Sequence, residues 1–82
     1  MSVLVNVVMP QLGETVSEGT ILSWLKSVGE SVTPDDILFE VESDKATMEV
    51  APPAAGVIRQ ILVRAGVAVP VGTVVATIER DL

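Results

Sequence analysis

The sequence predicts an all-β domain of two packed antiparallel sheets, about four strands each, and three observations carry that prediction. The first is an internal repeat: displaced by 37 residues, the two halves of the chain, about 19–45 and 56–82, fall into register without a gap. Gly19 meets Gly56, Ile21 meets Ile58, Leu25 meets Leu62 and Gly29 meets Gly66. Further along, Val32 meets Val69, Ile37 meets Val74, Val41 meets Ile78, Glu42 meets Glu79 and Asp44 meets Asp81. The second is composition, since 16 of the 82 residues are valine, and β-branched side chains favour strands over helices. The third is punctuation: turn residues recur at short intervals, and no segment shows a long 3.6-residue apolar period with caps. A duplicated strand set related by a pseudo-twofold axis follows. One sheet is expected mostly from each half, with strands exchanged across the axis so that both apolar faces are buried.

The elements can be placed in order. Val3–Met9 is the first strand, and a loop from Pro10 to Ser17 follows it. Gly19–Leu25 is the second, turned at Gly29-Glu30 into a short third strand around Ser31–Val32. Thr33-Pro34-Asp35-Asp36 carries proline at the second position, as a type I turn prefers. In Ile37–Glu42 the residues Ile37, Phe39 and Val41 alternate with Leu38, Glu40 and Glu42, which buries the first set better than the second. Thr47–Val50 comes next, and Ala51–Ala55 joins the halves. The second half then repeats the first with Gly56–Ile61, a turn at Gly66, Ala68–Val69, a turn at Pro70–Gly72 and Val74–Glu79. Trp24, Met9 and Met48 read as core or core-edge packing residues, and Lys26 as a solvated one.

Composition bounds the function. A single domain of 82 residues without Cys or His has no thiol chemistry, no disulfide and neither the commonest general base nor the commonest metal ligand. It is poorly equipped to be an enzyme. A formal charge of −6 with no basic patch argues against nucleic acid or an anionic membrane as partner. The apolar Met1–Met9 lacks a positive leader region and reads as a strand, and no apolar stretch is long enough to span a bilayer. A cytosolic protein is expected, or one in an organelle whose targeting segment is missing here.

One short turn stands out. Glu42-Ser43-Asp44-Lys45-Ala46 lies between two strands, so Lys45 is expected at the tip of a β-hairpin. Turn lysines are usually plain solvated charges. In the repeat Lys45 aligns with Leu82, which puts the hairpin tip and the C-terminus at opposite ends. Glu42, Asp44 and Glu49 are expected to favour the charged form of its amine. Aligning Pro10 with Pro52 and Gly19 with Gly56 leaves the first half five residues longer between Leu12 and Glu18, the one insertion that breaks the repeat. Surface insertions are frequent sites of function, and this one is expected beside Lys45.

Met9-Pro10-Gln11-Leu12-Gly13-Glu14, Glu18-Gly19-Thr20-Ile21, Trp24, Gly29, Glu42-Ser43-Asp44-Lys45-Ala46, Met48-Glu49-Val50 and Gly56-Val57-Ile58 together resemble a lipoyl domain of the acyltransferase (E2) components of 2-oxo acid dehydrogenase complexes. The resemblance runs from about Val3 to Ile78, and its most specific part is the Asp-Lys-Ala turn. It implies a flattened β-barrel of two four-stranded sheets and lipoic acid in amide linkage to Lys45. Beside that lysine, Asp44 is expected either to be read by a lipoylating ligase or to stabilise the turn through its own side chain, and Ala46 either to leave the ligase room or to be a neutral strand-start residue. A thiamin-diphosphate decarboxylase (E1) then charges the arm, coenzyme A takes the acyl group at the E2 active site, and dihydrolipoyl dehydrogenase (E3) reoxidises the dithiol. Contact with E1 is expected at Leu12, Gly13, Glu14, Thr15 and Val16, with Glu42 and Glu49 as the acidic flank. An isolated domain of this kind is expected to be monomeric, in bacterial cytoplasm or the mitochondrial matrix. Three carriers or binders remain beside it. A biotin carrier has a related fold but resembles its relatives in setting methionine on both sides of the lysine. An unmodified β-sandwich adaptor leaves the Asp-Lys-Ala turn unexplained. A glycine-cleavage carrier needs added helices for which no residues remain.

Overall fold

The computed structural model describes residues 1–44 and 46–81, which form eight strands and no helix. They are β1 (Ser2–Val8), β2 (Glu18–Trp24), β3 (Ser31–Val32), β4 (Phe39–Glu42), β5 (Thr47–Val50), β6 (Gly56–Ile61), β7 (Ala68–Pro70) and β8 (Val74–Asp81). Two four-stranded antiparallel sheets result, ordered β1-β8-β6-β3 and β5-β4-β2-β7. Adding four to each strand number of the first sheet, cyclically, generates the second, which is the expected pseudo-twofold. The expectation that each sheet comes mostly from one half is corrected: each takes two strands from each half.

The repeat holds down to single hydrogen bonds. Leu25 N–H donates to Leu38 O at 3.0 Å, and 37 residues on Leu62 N–H donates to Val75 O at 2.8 Å. Gly29 N–H donates to Ile58 O and Gly66 N–H to Ile21 O, both at 2.7 Å, so each half's glycine turn is bonded to the other half's inner strand. Gly29 and Gly66 adopt φ of 91° and 92°, the region open to glycine at little cost. Even the irregularities are paired. The β2–β4 ladder slips between Ile21 and Ser23, and the β6–β8 ladder slips between their counterparts Ile58 and Gln60. The extra residues, Leu22 and Arg59, bulge outward and are exposed.

A further slip corrects the reading of a single insertion. Val7 pairs with Ala76 as Val50 pairs with Phe39, yet twelve residues lead from Val7 to Gly19 and only six from Val50 to Gly56. Five of the additional residues lie in the loop, and the β1–β8 register also shifts between Val7 and Val8, where β8 carries the unpaired residue, Val75.

Val7, Met9, Ile21, Val32, Leu38, Phe39, Val41, Ile58, Val69, Val75, Ala76 and Ile78 form one buried cluster between the sheets. Trp24 packs on it as expected, its ring centroid 4.8 Å from that of Phe39 and its Nε1–H donating to Val63 O at 2.9 Å. Two packing expectations fail. Met48 is 40% exposed, because β5 is an edge strand with nothing beyond it to cover an inward side chain. Leu38 is fully buried while Ile37 is only half-buried, because β4 begins at Phe39 and Leu38 is drawn in by its N–H bond to Val50 O at 2.7 Å. Lys26, read as simply solvated, pairs with Glu30 at 3.5 Å across the Gly29 turn.

Candidate functional site

The hairpin joining β4 to β5 is closed by Ser43, whose N–H donates to Ala46 O at 2.8 Å and whose hydroxyl donates to the same carbonyl at 3.3 Å. The next rung pairs Glu42 with Thr47. Asp44 and Ala46 are both exposed, so the turn offers its two flanking side chains to a partner. Lys45, and with it the expected effect of Glu42, Asp44 and Glu49 on its amine, lies outside the described residues. So does Leu82, its repeat partner.

The inserted loop stands where the repeat placed it. A groove of about 590 Å³ separates it from the hairpin, with Thr15, Val16 and Ser17 on one side, Glu42, Ser43 and Asp44 on the other, and the start of β2 between. Glu18, Glu42 and Asp44 give this groove a carboxylate lining, with no Lys or Arg among its described wall residues. Glu14 and Thr15 are exposed at the loop's crest, while Leu12 turns inward and packs against the core. Glu49 is exposed on the outer face of its sheet, directly opposite Glu40, and lies off this groove.

Two features of the site escaped the sequence. Gly19 is a spacer: a Cβ there would meet Leu12 Cδ1 at 2.6 Å and Val41 Cγ2 at 2.8 Å, so its bareness lets the loop's anchor and the hairpin strand close on one spot. Gln11 is a clamp, its amide Nε2 donating to Gly13 O and, at 3.2 Å, to Val16 O. The signal for the first was the glycine pair of the repeat; nothing in spacing alone signals the second.

The residues present suit a covalently attached group on the turn. The hairpin is fixed from both strands by the Ser43–Ala46 bonds, and its exposed flanks leave room for an enzyme to approach.

Comparison with known proteins agrees. The Biotin_lipoyl family model, described as "Biotin-requiring enzyme", matches residues 5–78. The dihydrolipoyllysine-residue acetyltransferase component of the pyruvate dehydrogenase complex of Corynebacterium glutamicum is 51% identical over 73 residues, covering 89% of this chain. A chain named as the β subunit of the pyruvate dehydrogenase E1 component of Rhizobium meliloti is 42% identical over 78 residues, covering 94% of this chain. This chain spans only 11% and 17% of those two relatives. The solution structure of the lipoyl domain of the 2-oxoglutarate dehydrogenase complex from Azotobacter vinelandii superposes with a TM-score of 0.75 at 32% identity, covering 90% of this chain and 94% of that one. Sequence, fold and the exposed turn thus converge: the chain belongs to the Biotin_lipoyl family, as a lipoyl carrier domain of the type found in acyltransferase components of 2-oxo acid dehydrogenase complexes.

Proposed function

We propose that Lys45 bears lipoic acid in amide linkage, and that the domain is the shared substrate of three partners in a 2-oxo acid dehydrogenase complex. These are a thiamin-diphosphate decarboxylase (E1), an acyltransferase centre (E2) that delivers to coenzyme A, and dihydrolipoyl dehydrogenase (E3). The parent chain is proposed to be a dihydrolipoamide acyltransferase. When bound, lipoic acid supplies a disulfide that takes up an acyl group together with two electrons and releases them separately, chemistry that a chain without cysteine lacks.

The chain's own part is presentation. Ser43 and Ala46 close the turn between β4 and β5 and leave Asp44 and Ala46 exposed, and that closed turn is the observation that carries the proposal. Asp44 gives the lipoylating ligase a carboxylate to read, and Ala46 leaves space on the other side. Gly13, Glu14, Thr15 and Val16, with Glu42 across the groove, form the surface offered to E1, held in place by Leu12; Glu49 extends the acidic flank.

Intact mass after treatment with lipoate and a lipoate–protein ligase tests this. One lipoyl group on the parent chain and none on Lys45→Arg is expected, followed by charging with labelled pyruvate or 2-oxoglutarate and the matching E1. A lipoyl group on Lys26 instead would end the proposal. The family's description also covers biotin attachment, so a streptavidin blot after treatment with biotin ligase belongs beside it, and a biotinylated product would favour the second reading.

A further inference from the structure

The loop between β1 and β2 is an insertion, yet it is tied down at every stage. Leu12 roots its start in the core, and Ser17 O, at its end, accepts the Val71 N–H at 2.9 Å. Between them Val16 N–H donates to Gly13 O at 3.3 Å, a long bond that holds the turn only weakly. The Gln11 amide reinforces it. One NH₂ group carries two hydrogens, and here they go to the carbonyls of Gly13 and Val16, the first and last residues of that turn. Gln11 is itself exposed and has no part in the core. In the Pro10–Pro52 alignment its counterpart in the other half is Pro53, a residue with no side-chain donor, so the clamp occurs only where the insertion does.

We infer that Gln11 is a positioning residue for the charging reaction, holding the Gly13–Val16 turn in the shape that E1 recognises; this rests on the proposed reading of that loop as the E1 contact. Glu14 and Thr15 sit at the crest of the turn, and their directions depend on its closure. Without the clamp the turn samples other shapes, and only the fraction in the competent one binds, which raises apparent KM by the inverse of that fraction. The reacting atoms lie elsewhere, so kcat stays unchanged.

The test uses the lipoylated chain as substrate for whichever of two probes charges the parent: pyruvate dehydrogenase E1 with labelled pyruvate, or 2-oxoglutarate dehydrogenase E1 with labelled 2-oxoglutarate. Gln11→Glu keeps the shape but turns the donor into an acceptor, and Gln11→Met keeps the bulk without either. Each should raise KM for the domain by about tenfold, the loss of two modest hydrogen bonds softened by exposure, at constant kcat. Lipoylation and melting temperature should not change, while the Val16 amide exchanges faster. Gln11→Arg sets an N–H at the same number of bonds from the backbone and should restore most of the loss. Glu14→Ala and Thr15→Ala run alongside as direct probes of the contact. If these slow charging while Gln11→Glu and Gln11→Met do not, the inference falls and the loop reading stands. If none of the four slows charging, E1 does not read this loop and both fall.

Discussion

Replacing Gly56 by alanine should cost the domain much more than the same change at its repeat partner Gly19, although both glycines open equivalent strands. Neither has a positive φ, so the difference is one of room. A Cβ at Gly56 would press into the Glu79 carbonyl oxygen, lie 3.1 Å from its carbon and 2.6 Å from Ile78 Cγ2. Two of those atoms are backbone of β8, paired on both sides by β1 and β6, and Ile78 is fully buried. At Gly19 the obstacles are side-chain atoms: Leu12 Cδ1, Val41 Cγ2 and, at 3.3 Å, Met9 Sδ, the first belonging to a half-buried loop residue that can turn aside. Overpacking costs about 1–3 kcal/mol, and a backbone obstacle that cannot rotate away puts Gly56→Ala at about 2–3 kcal/mol and Gly19→Ala near 1 kcal/mol. For a domain of this size each kcal/mol moves Tm by about 4–8 °C, so Gly56→Ala should melt roughly 10–20 °C below the parent and Gly19→Ala roughly 5 °C below. Thermal unfolding followed by circular dichroism, with a urea titration to show an unchanged slope, measures both. A Gly56→Ala protein melting within about 3 °C of the parent, or below which Gly19→Ala melts, would show that the sheet gives where this reasoning holds it rigid.

Exchanging Asp44 with Lys45, or Lys45 with Ala46, shifts the amine by one place and should sharply reduce lipoylation, read as the mass-shifted fraction; full modification of either variant would mean that any exposed lysine serves. Deleting residues 13–17 should leave Lys45 modified and the fold intact while slowing charging by E1 at least about tenfold, as loss of a whole contact surface does; an unchanged rate would make the loop idle. Glu49→Thr removes one of two carboxylates facing each other across β4 and β5. It should raise stability by a few tenths of a kcal/mol, seen as a Tm gain of about 2 °C at low salt that shrinks as salt is added.

Much of this architecture was legible in the sequence because a repeat constrains twice. The register of 37 predicted the glycine turns at Gly29 and Gly66, the matching strands and the exchange between halves, since an alignment that pairs apolar with apolar also pairs hydrogen-bonding roles. Burial at sheet edges was not legible. Met48 and Val41 both point inward, but only the strand order says that β5 has a neighbour on one side. Alternation misplaced Leu38 and Ile37 because it assumes a strand starts where its apolar run starts, whereas the ladder begins at Phe39. The bulges at Leu22 and Arg59 hid for the opposite reason: occurring at the same place in both halves, they leave the alignment undisturbed. At the site, types and spacing pointed to the turn and to the loop beside it. What they could not supply was the local hydrogen bonding of Gln11 and Ser43, which depends on backbone path and not on residue pattern.

The even sharing of strands has a bearing on how such a domain can come apart. Severing the chain anywhere in Ala51–Ala55 yields β1–β5 and β6–β8, and neither fragment contains a complete sheet: the first lacks β8 and β6 of one sheet and β7 of the other, the second β1 and β3 of one and β5, β4 and β2 of the other. Neither piece can close an apolar interior alone, so unfolding is expected in a single cooperative step with no stable half, and the severed pieces should regain structure only when mixed.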